Sequence, residues 1–82
     1  MNLKIKLSYT DRVGIVADIS RYVADGKFNI VFMEVVRKGD SAVVFMEIES
    51  RKESGSIDPV IDRLRHSEGI REFKFIDTLP QE

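Results

Sequence analysis

Cysteine and tryptophan are absent from the 82 residues, histidine occurs once and proline twice. Without cysteine the chain can form neither a disulfide nor a cysteine-ligated zinc site, and one histidine argues against a transition-metal site. No apolar run approaches the roughly 20 residues that a membrane-spanning helix needs. We therefore expect no metal, no cofactor and no membrane insertion.

Strong net charge is also missing, since 13 basic and 14 acidic residues leave a net charge of −1. Such a chain has no overall positive field that would hold a nucleic-acid backbone. The stretch MNLKIKLSYT alternates apolar and polar residues and does not form the apolar block of a signal peptide. We expect one cytoplasmic domain that makes no direct contact with nucleic acid.

The first 25 residues contain a strand followed by a helix. Alternation with period two in NLKIKLS predicts a strand at residues 2–8. Residues 13–25 change to helical spacing. The apolar stripe of this helix consists of Ile15, Val16, Ile19, Tyr22 and Val23. Gly26 follows, where a left-handed helix end favours glycine.

Residues 28–50 predict a β-hairpin, because they are rich in β-branched and aromatic residues and are interrupted only by Gly39-Asp40. Glycine at the first turn position suits a type II′ turn, which places Lys38 opposite Ser41. That register predicts one apolar face with three cross-strand pairs: Val35 with Val44, Met33 with Met46, and Val31 with Ile48. It places Ile30, Phe32, Glu34 and Val36 on the other face.

The last third of the chain predicts a second helix at residues 54–69 and a final strand at residues 70–79. Asp58 is the expected N-cap of the helix, with Pro59 at its first position and Gly69 at its end. The apolar residues of the last strand share one face only if a bulge lies near its start. Residues 1–79 then form the domain, and residues 80–82 begin a linker or tail.

This βαββαβ order predicts a ferredoxin-like α+β sandwich. Right-handed crossovers give a four-stranded antiparallel sheet in the order 4-1-3-2, with both helices on one face. The second strand is then an edge strand, yet residues 28–36 contain a single charge, Glu34, and no proline. Either another part of a longer chain covers this edge, or a second copy pairs with it. We favour the second copy, with an interface of Ile30, Phe32, Glu34 and Val36.

The loop YTDRVG between the first strand and the first helix has two interpretations. In one, Asp11 caps the helix and Gly14 permits a tight turn. In the other, the unpaired amides at the helix start hold a carboxylate, and Gly14 leaves the approach free of a side chain. The sequence pattern alone leaves both open.

Residues for catalysis or RNA binding are not arranged convincingly in the sequence. The single histidine, His66, stands among charged residues of the second helix, and no nucleophile and base pair by spacing. Phe45 could stack on a base, but Glu34, Glu47 and Glu49 share its predicted face and would repel phosphate. We therefore expect no enzymatic activity.

The segment DRVGIVADISRYVADGKFNIVFMEV resembles the ACT domain, a regulatory module. It shows an Asp-Arg-x-Gly loop, a helix and a Gly-x-x-Asn-Ile entry to the second strand. The resemblance implies pairing side by side through the second strand, with an amino acid bound at the interface. The ligand contacts that it implies are Asp11, Arg12, Val13, Gly14, Ile15, Asn29 and Ile30.

The position of the domain at Met1 and the ending FIDTLPQE are similar to the amino-terminal part of tyrosine-repressor-like, sigma-54-type transcription regulators. This similarity implies a sensor and dimerisation domain of a transcription regulator. Two alternatives remain from the sequence. One is a stand-alone or enzyme-associated regulatory subunit of amino-acid metabolism, and the other is a dimerisation module without a ligand.

Overall fold

A computed structural model describes residues 2–80, which form six elements. They are β1 (Asn2–Thr10), α1 (Ile15–Asp25), β2 (Asn29–Lys38), β3 (Ser41–Glu49), α2 (Asp58–Arg65) and β4 (Ile70–Phe75). The strands form one antiparallel sheet in the order β2-β3-β1-β4. The predicted ferredoxin-like βαββαβ fold and strand order are confirmed. Residues 81–82 of the predicted tail lie outside the described residues.

The core lies between one face of the sheet and both helices. Alternate residues of β1 and β3 are buried there, such as Ile5, Leu7 and Met46, each 0% exposed. Ile19 of α1 and Leu64 of α2 belong to the same apolar cluster. Burying one such side chain contributes roughly 1.5–3 kcal/mol, so the alternation of the two central strands positions both helices.

The β2–β3 hairpin has the predicted register near its turn and a different one at its open end. Gly39 has φ 57°, as the first position of a type II′ turn requires. Lys38 lies opposite Ser41, and the next apolar pairs follow as predicted. A bulge at Val31 then places Ile30 opposite Ile48. The prediction that Val31 pairs with Ile48 is therefore wrong.

The bulge at Val31 also changes the face on which Ile30 lies, because one extra residue inverts the alternation of a strand. Ile30 packs against the core, whereas the side chain of Val31 is 45% exposed. Ile30 is therefore on the helix-covered face and not, as predicted, on the face shared by Phe32 and Glu34. We call the latter the open face; it also carries Lys6, Val36, Val43 and Phe45.

The bulge predicted near the start of β4 is confirmed. Ser8 pairs with Glu72 and Tyr9 with Ile70, so Arg71 is the extra residue. This arrangement places Ile70 on the core side, as its packing requires. The strand ends at Phe75 rather than at residue 79, where the sequence prediction placed its end.

The first helix begins and ends differently from the prediction. Its N-cap is Gly14, at φ 86°, and no side chain caps it, so Asp11 is not the cap. At its end Gly26 has φ −81°, and Lys27 adopts the left-handed conformation with φ 67°. Gly26 is needed for space, because a Cβ there would lie 2.6 Å from Cγ2 of Val60.

The second helix is shorter than predicted, since it ends at Arg65. Asp58 is its first residue and not its N-cap; its N–H donates to Oγ of Ser56 at 3.2 Å. Gly69, with φ 91°, turns the chain into β4. No helix within residues 2–80 is both long and apolar enough to cross a bilayer.

Candidate functional site

The loop from β1 to α1 lies beside the β2–β3 turn. The backbone N–H of Asp11 donates to the carbonyl oxygen of Asp40 at 2.8 Å, which fixes this position. Ile15 is 2% exposed and holds the helix start to the core, whereas Val13 at the tip of the loop is 99% exposed. The structure thus brings together the predicted residues 11–15 around one exposed loop.

An arginine that the sequence did not single out completes the site. Arg37, near the end of β2, forms an ion pair with the carboxylate of Asp11. Arg37 and Tyr9 are both cross-strand partners of Ala42, so these three residues lie side by side on the same face of the sheet. Residues Asp11, Arg12, Val13 and Arg37 line a cavity of about 380 Å³. The cavity is therefore lined by one anionic and two cationic side chains.

Tyr9 lies beneath this ion pair and is 1% exposed. Burial raises the pKa of its hydroxyl, the charge of Asp11 raises it further, and the charge of Arg37 lowers it. Burial disfavours the phenolate, so the side chain stays neutral at neutral pH. Tyr9 supports the charged pair from the core side.

Arg12 connects the same loop to α1 and to the segment that precedes β4. Its guanidinium contacts Asp18 at 2.9 Å and donates from Nε to the carbonyl oxygen of Glu68 at 3.1 Å. The hydrogen bond from Arg12 is the main cause of the lowered pKa of Asp18, and the charge of Arg21 adds to it. Arg12 therefore lines the cavity while its charge is already partnered.

The start of α1 comes directly after the residues that line this cavity, and the N–H of its first residue, Ile15, donates to the carbonyl oxygen of Arg12 at 3.4 Å. The first amides of a helix have no acceptor within the helix and carry partial positive charge, so they favour an anion. A Cβ at Gly14 would meet nothing closer than Arg12 at 4.0 Å, but its φ of 86° is one that side chains rarely adopt. Glycine here both permits the turn and leaves the approach open.

Asn29 and Ile30 are not near the loop within one subunit. They begin β2, whereas Arg37 and the loop lie at its other end. A strand of 10 residues at about 3.3 Å per residue separates the two by roughly 30 Å. The structure therefore brings together five of the predicted ligand residues and leaves these two at the opposite end of the sheet.

Sequence reasoning missed Arg37 and Tyr9 as members of this site. Arg37 is 26 positions from Asp11, and the only clue was that the chain reverses at Gly39. His66 lies exposed at the end of α2, with Nδ1 2.7 Å from the carbonyl oxygen of Asp62. Within residues 2–80 no cluster of three acidic or histidine side chains could hold a metal ion.

Comparison with known proteins gives a similarity of fold. No family model matches the sequence, and no curated protein matches it. The ACT domain from GTP pyrophosphokinase of Chlorobium tepidum has a TM-score of 0.72 and 16% identity, over 93% of this chain and 97% of that one. An ACT domain protein from Streptococcus pneumoniae has a TM-score of 0.70 and 16% identity, over 92% of this chain and 89% of that one.

A third similar structure is an enzyme. A formyltetrahydrofolate deformylase from Pseudomonas putida KT2440 has a TM-score of 0.71 and 11% identity, over 95% of this chain. The match spans only 29% of the deformylase. At these identities the comparisons show the fold alone, and that fold is the one seen in ACT domains.

Proposed function

We propose that this chain is a regulatory domain that dimerises through β2 and binds an amino acid at the resulting seam. The single observation that supports this most is the separation of the candidate ligand residues. Asp11 to Ile15 and Arg37 lie at one end of β2, and Asn29 and Ile30 lie at the other. One subunit alone cannot place both groups around one small ligand.

Pairing two copies of β2 in antiparallel fashion removes that separation. An axis near Met33 and Glu34 would set Lys38 of one copy opposite Asn29 of the partner subunit. The loop with Arg37 would then lie beside the start of the second copy's β2. Edge strands with open hydrogen-bonding groups are suited to such pairing, and the result is a continuous eight-stranded sheet.

The charges of the cavity suit a zwitterion. The guanidinium of Arg37 and the amides of the α1 start can bind a carboxylate, and the carboxylate of Asp11 can bind an ammonium group. The side chain of Arg37 is 69% exposed, and that of Asp11 is half-buried at 23%. Because solvent reaches the guanidinium, the ion pair contributes little, and a ligand can separate it at small cost.

Regulation follows from linkage and involves no chemical step by this domain. A ligand held between two subunits stabilises the paired arrangement by its difference in affinity between that arrangement and others. In the proposed setting the domain is the first part of a cytoplasmic transcription regulator and signals through the segment after β4. A stand-alone or enzyme-associated regulatory subunit would use the same site.

Calorimetric titration with a panel of the common amino acids tests the proposal. We expect one amino acid to bind the wild type with a stoichiometry set by the dimer. Arg37→Gln should weaken that binding about tenfold or more, since a charge-assisted hydrogen bond contributes roughly 1.5–3 kcal/mol. Arg63→Gln removes another exposed arginine from an ion pair with Asp25, away from the loop, and should leave binding unchanged.

Two outcomes would overturn the amino-acid site. If the protein is a dimer and none of the amino acids binds, a dimerisation module without a ligand is favoured. Equal losses from Arg37→Gln and Arg63→Gln would show that the cavity beside the loop is not where the ligand binds.

A further inference from the structure

A second cavity lies on the open face of the sheet, the face opposite the helices. It has a volume of about 240 Å³, and its apolar walls are Val36, Val43 and Phe45. Lys6 and Lys38 stand at its rim. The proposed amino-acid site is on the helix side of the sheet, so it does not account for this cavity.

Lys6 is in an unusual electrostatic position. In the part of the chain that the structure describes, four lysines have no ion pair or hydrogen bond. Three of them, Lys27, Lys38 and Lys52, are exposed in or beside turns, where water solvates the ammonium group. Lys6 is instead half-buried in the middle of a central strand. Partial burial removes some of the water that solvates an ammonium group, so an anionic partner becomes favourable. Lys6 has no such partner.

The residue opposite Lys6 on β4 adds a second positive charge. Lys6 lies directly opposite Lys74, and like charges directly opposite each other destabilise a sheet. Lys74 has a partner in Glu72, at 3.7 Å, but Lys6 has none. The partner of Lys6 across β3 is Phe45, an apolar wall of the cavity. A cation without a partner therefore stands beside an apolar surface large enough for a small molecule.

We propose that this cavity binds a small hydrophobic carboxylate, with its apolar body on Val36, Val43 and Phe45 and its carboxylate at Lys6. The two rim lysines exclude a cationic ligand. Glu34 and Glu47 lie on the same face and oppose a ligand with several negative charges, such as a nucleotide. A single carboxylate neutralises Lys6 and relieves its repulsion with Lys74.

Titration with benzoate, followed by two-dimensional amide NMR of the intact chain, tests this site. We expect saturable shifts at the amides of Val43, Phe45 and Lys6. Lys6→Gln should weaken binding about tenfold, because it removes the charge that meets the carboxylate. Lys6→Arg should retain binding. Benzyl alcohol, which has the same ring without the charge, should bind the wild type at least about tenfold more weakly than benzoate does.

Matched variants make the result decisive. Lys52→Gln removes another lysine without a partner, far from the cavity, and should leave benzoate binding unchanged. Benzoate shifts that are absent, or equal in the wild type and Lys6→Gln, would overturn the proposal. Arg37→Gln should not affect benzoate binding, so the two sites can fail separately.

Discussion

The two edges of the sheet are built in contrasting ways. Strand β2 has 10 residues, and three of its valines are between 39% and 45% exposed, Val31, Val35 and Val36. Strand β4 has 6 residues, most of its exposed side chains are charged, and it carries a bulge at Arg71, as β2 does at Val31. Short length and charge are two of the means by which proteins protect an edge from pairing. The difference indicates that β4 is protected and β2 is available.

The loop between β1 and α1 shows the same asymmetry. Toward β4 it is held by Arg12, which contacts the half-buried Asp18 and the carbonyl oxygen of Glu68. Toward β2 it is held by the exposed Arg37. The β4 side is thus an anchor, and the β2 side is a contact that a ligand or a second subunit can open.

The largest expected effect concerns association at the two edges. Val35 and Phe75 are exposed apolar residues on the helix side of β2 and β4, 39% and 54% exposed. Val35→Lys places two ammonium groups at the proposed seam and should weaken dimerisation about a hundredfold or more. Phe75→Lys should leave the dimer intact. Sedimentation equilibrium measures both, and a monomeric wild type would refute the proposed interface.

The bulge in β2 is tested by two neighbouring residues. Ile30→Ala should lower the free energy of unfolding by about 2 kcal/mol, because Ile30 packs against the core. Val31→Ala should cost less than about 0.5 kcal/mol, because Val31 is the exposed bulge residue. Urea denaturation in the Val35→Lys background separates folding from association. A larger cost at Val31 would mean that the uninterrupted register is the correct one.

Replacing the two arginines that hold the loop, Arg12 and Arg37, should lower the free energy of unfolding by smaller and unequal amounts. Arg12→Gln should cost about 1 kcal/mol, since it removes a hydrogen bond to the carbonyl oxygen of Glu68 and leaves Asp18 with one arginine fewer. Arg37→Gln should cost roughly 0.3 kcal/mol, as expected for an exposed ion pair. Thermal unfolding of both variants checks the order. Equal losses of stability in the two variants would show that Arg12 and Arg37 hold the loop equally firmly.

The smallest expected effect is the pH dependence of stability that comes from the ion pair between Arg12 and Asp18. The hydrogen bond from Arg12 lowers the pKa of Asp18 below its ordinary 3.8, so the folded state favours the ionised carboxylate. This contribution is present at pH values above the unfolded pKa and is lost as the pH falls through the folded pKa. Asp18→Asn should therefore be less stable than the wild type at neutral pH, and the difference should disappear in acid.

A double-mutant cycle assigns that pH effect to its cause. In the Arg12→Gln background, Asp18→Asn should produce a smaller pH-dependent difference, because Arg12 supplies the largest part of the pKa shift. An unchanged difference in that background would assign the effect to Arg21 alone.

The fold was predictable from the sequence because its periods are regular. Alternation in β1 and β3 marked the buried side chains, and Gly39 fixed the register of the hairpin next to it. The bulge at Val31 was not predictable, since Ile30 and Val31 are both aliphatic and either can face the core. Packing decides between them, and packing depends on distant residues.

The glycines show a similar limit. Gly26 was expected to supply a left-handed conformation, but its role is to let α1 approach Val60 of α2. A local pattern cannot reveal a contact with a residue more than thirty positions away. Arg37 escaped notice for the same reason, because its partner Asp11 is near it only after β3 has formed between them. The loop itself was found because its signal is local.

The position of β1 between β3 and β4 has a consequence for how the chain folds. Ile5 of β1 pairs with Met46 of β3 and with Phe75 of β4. The first strand can therefore pair fully only when the middle and the end of the chain have reached it. Closing such long loops costs entropy before any contact compensates for it, which slows folding relative to local hairpins. We therefore expect the β2–β3 hairpin to form early and the final strand to complete the domain in a single late, cooperative step.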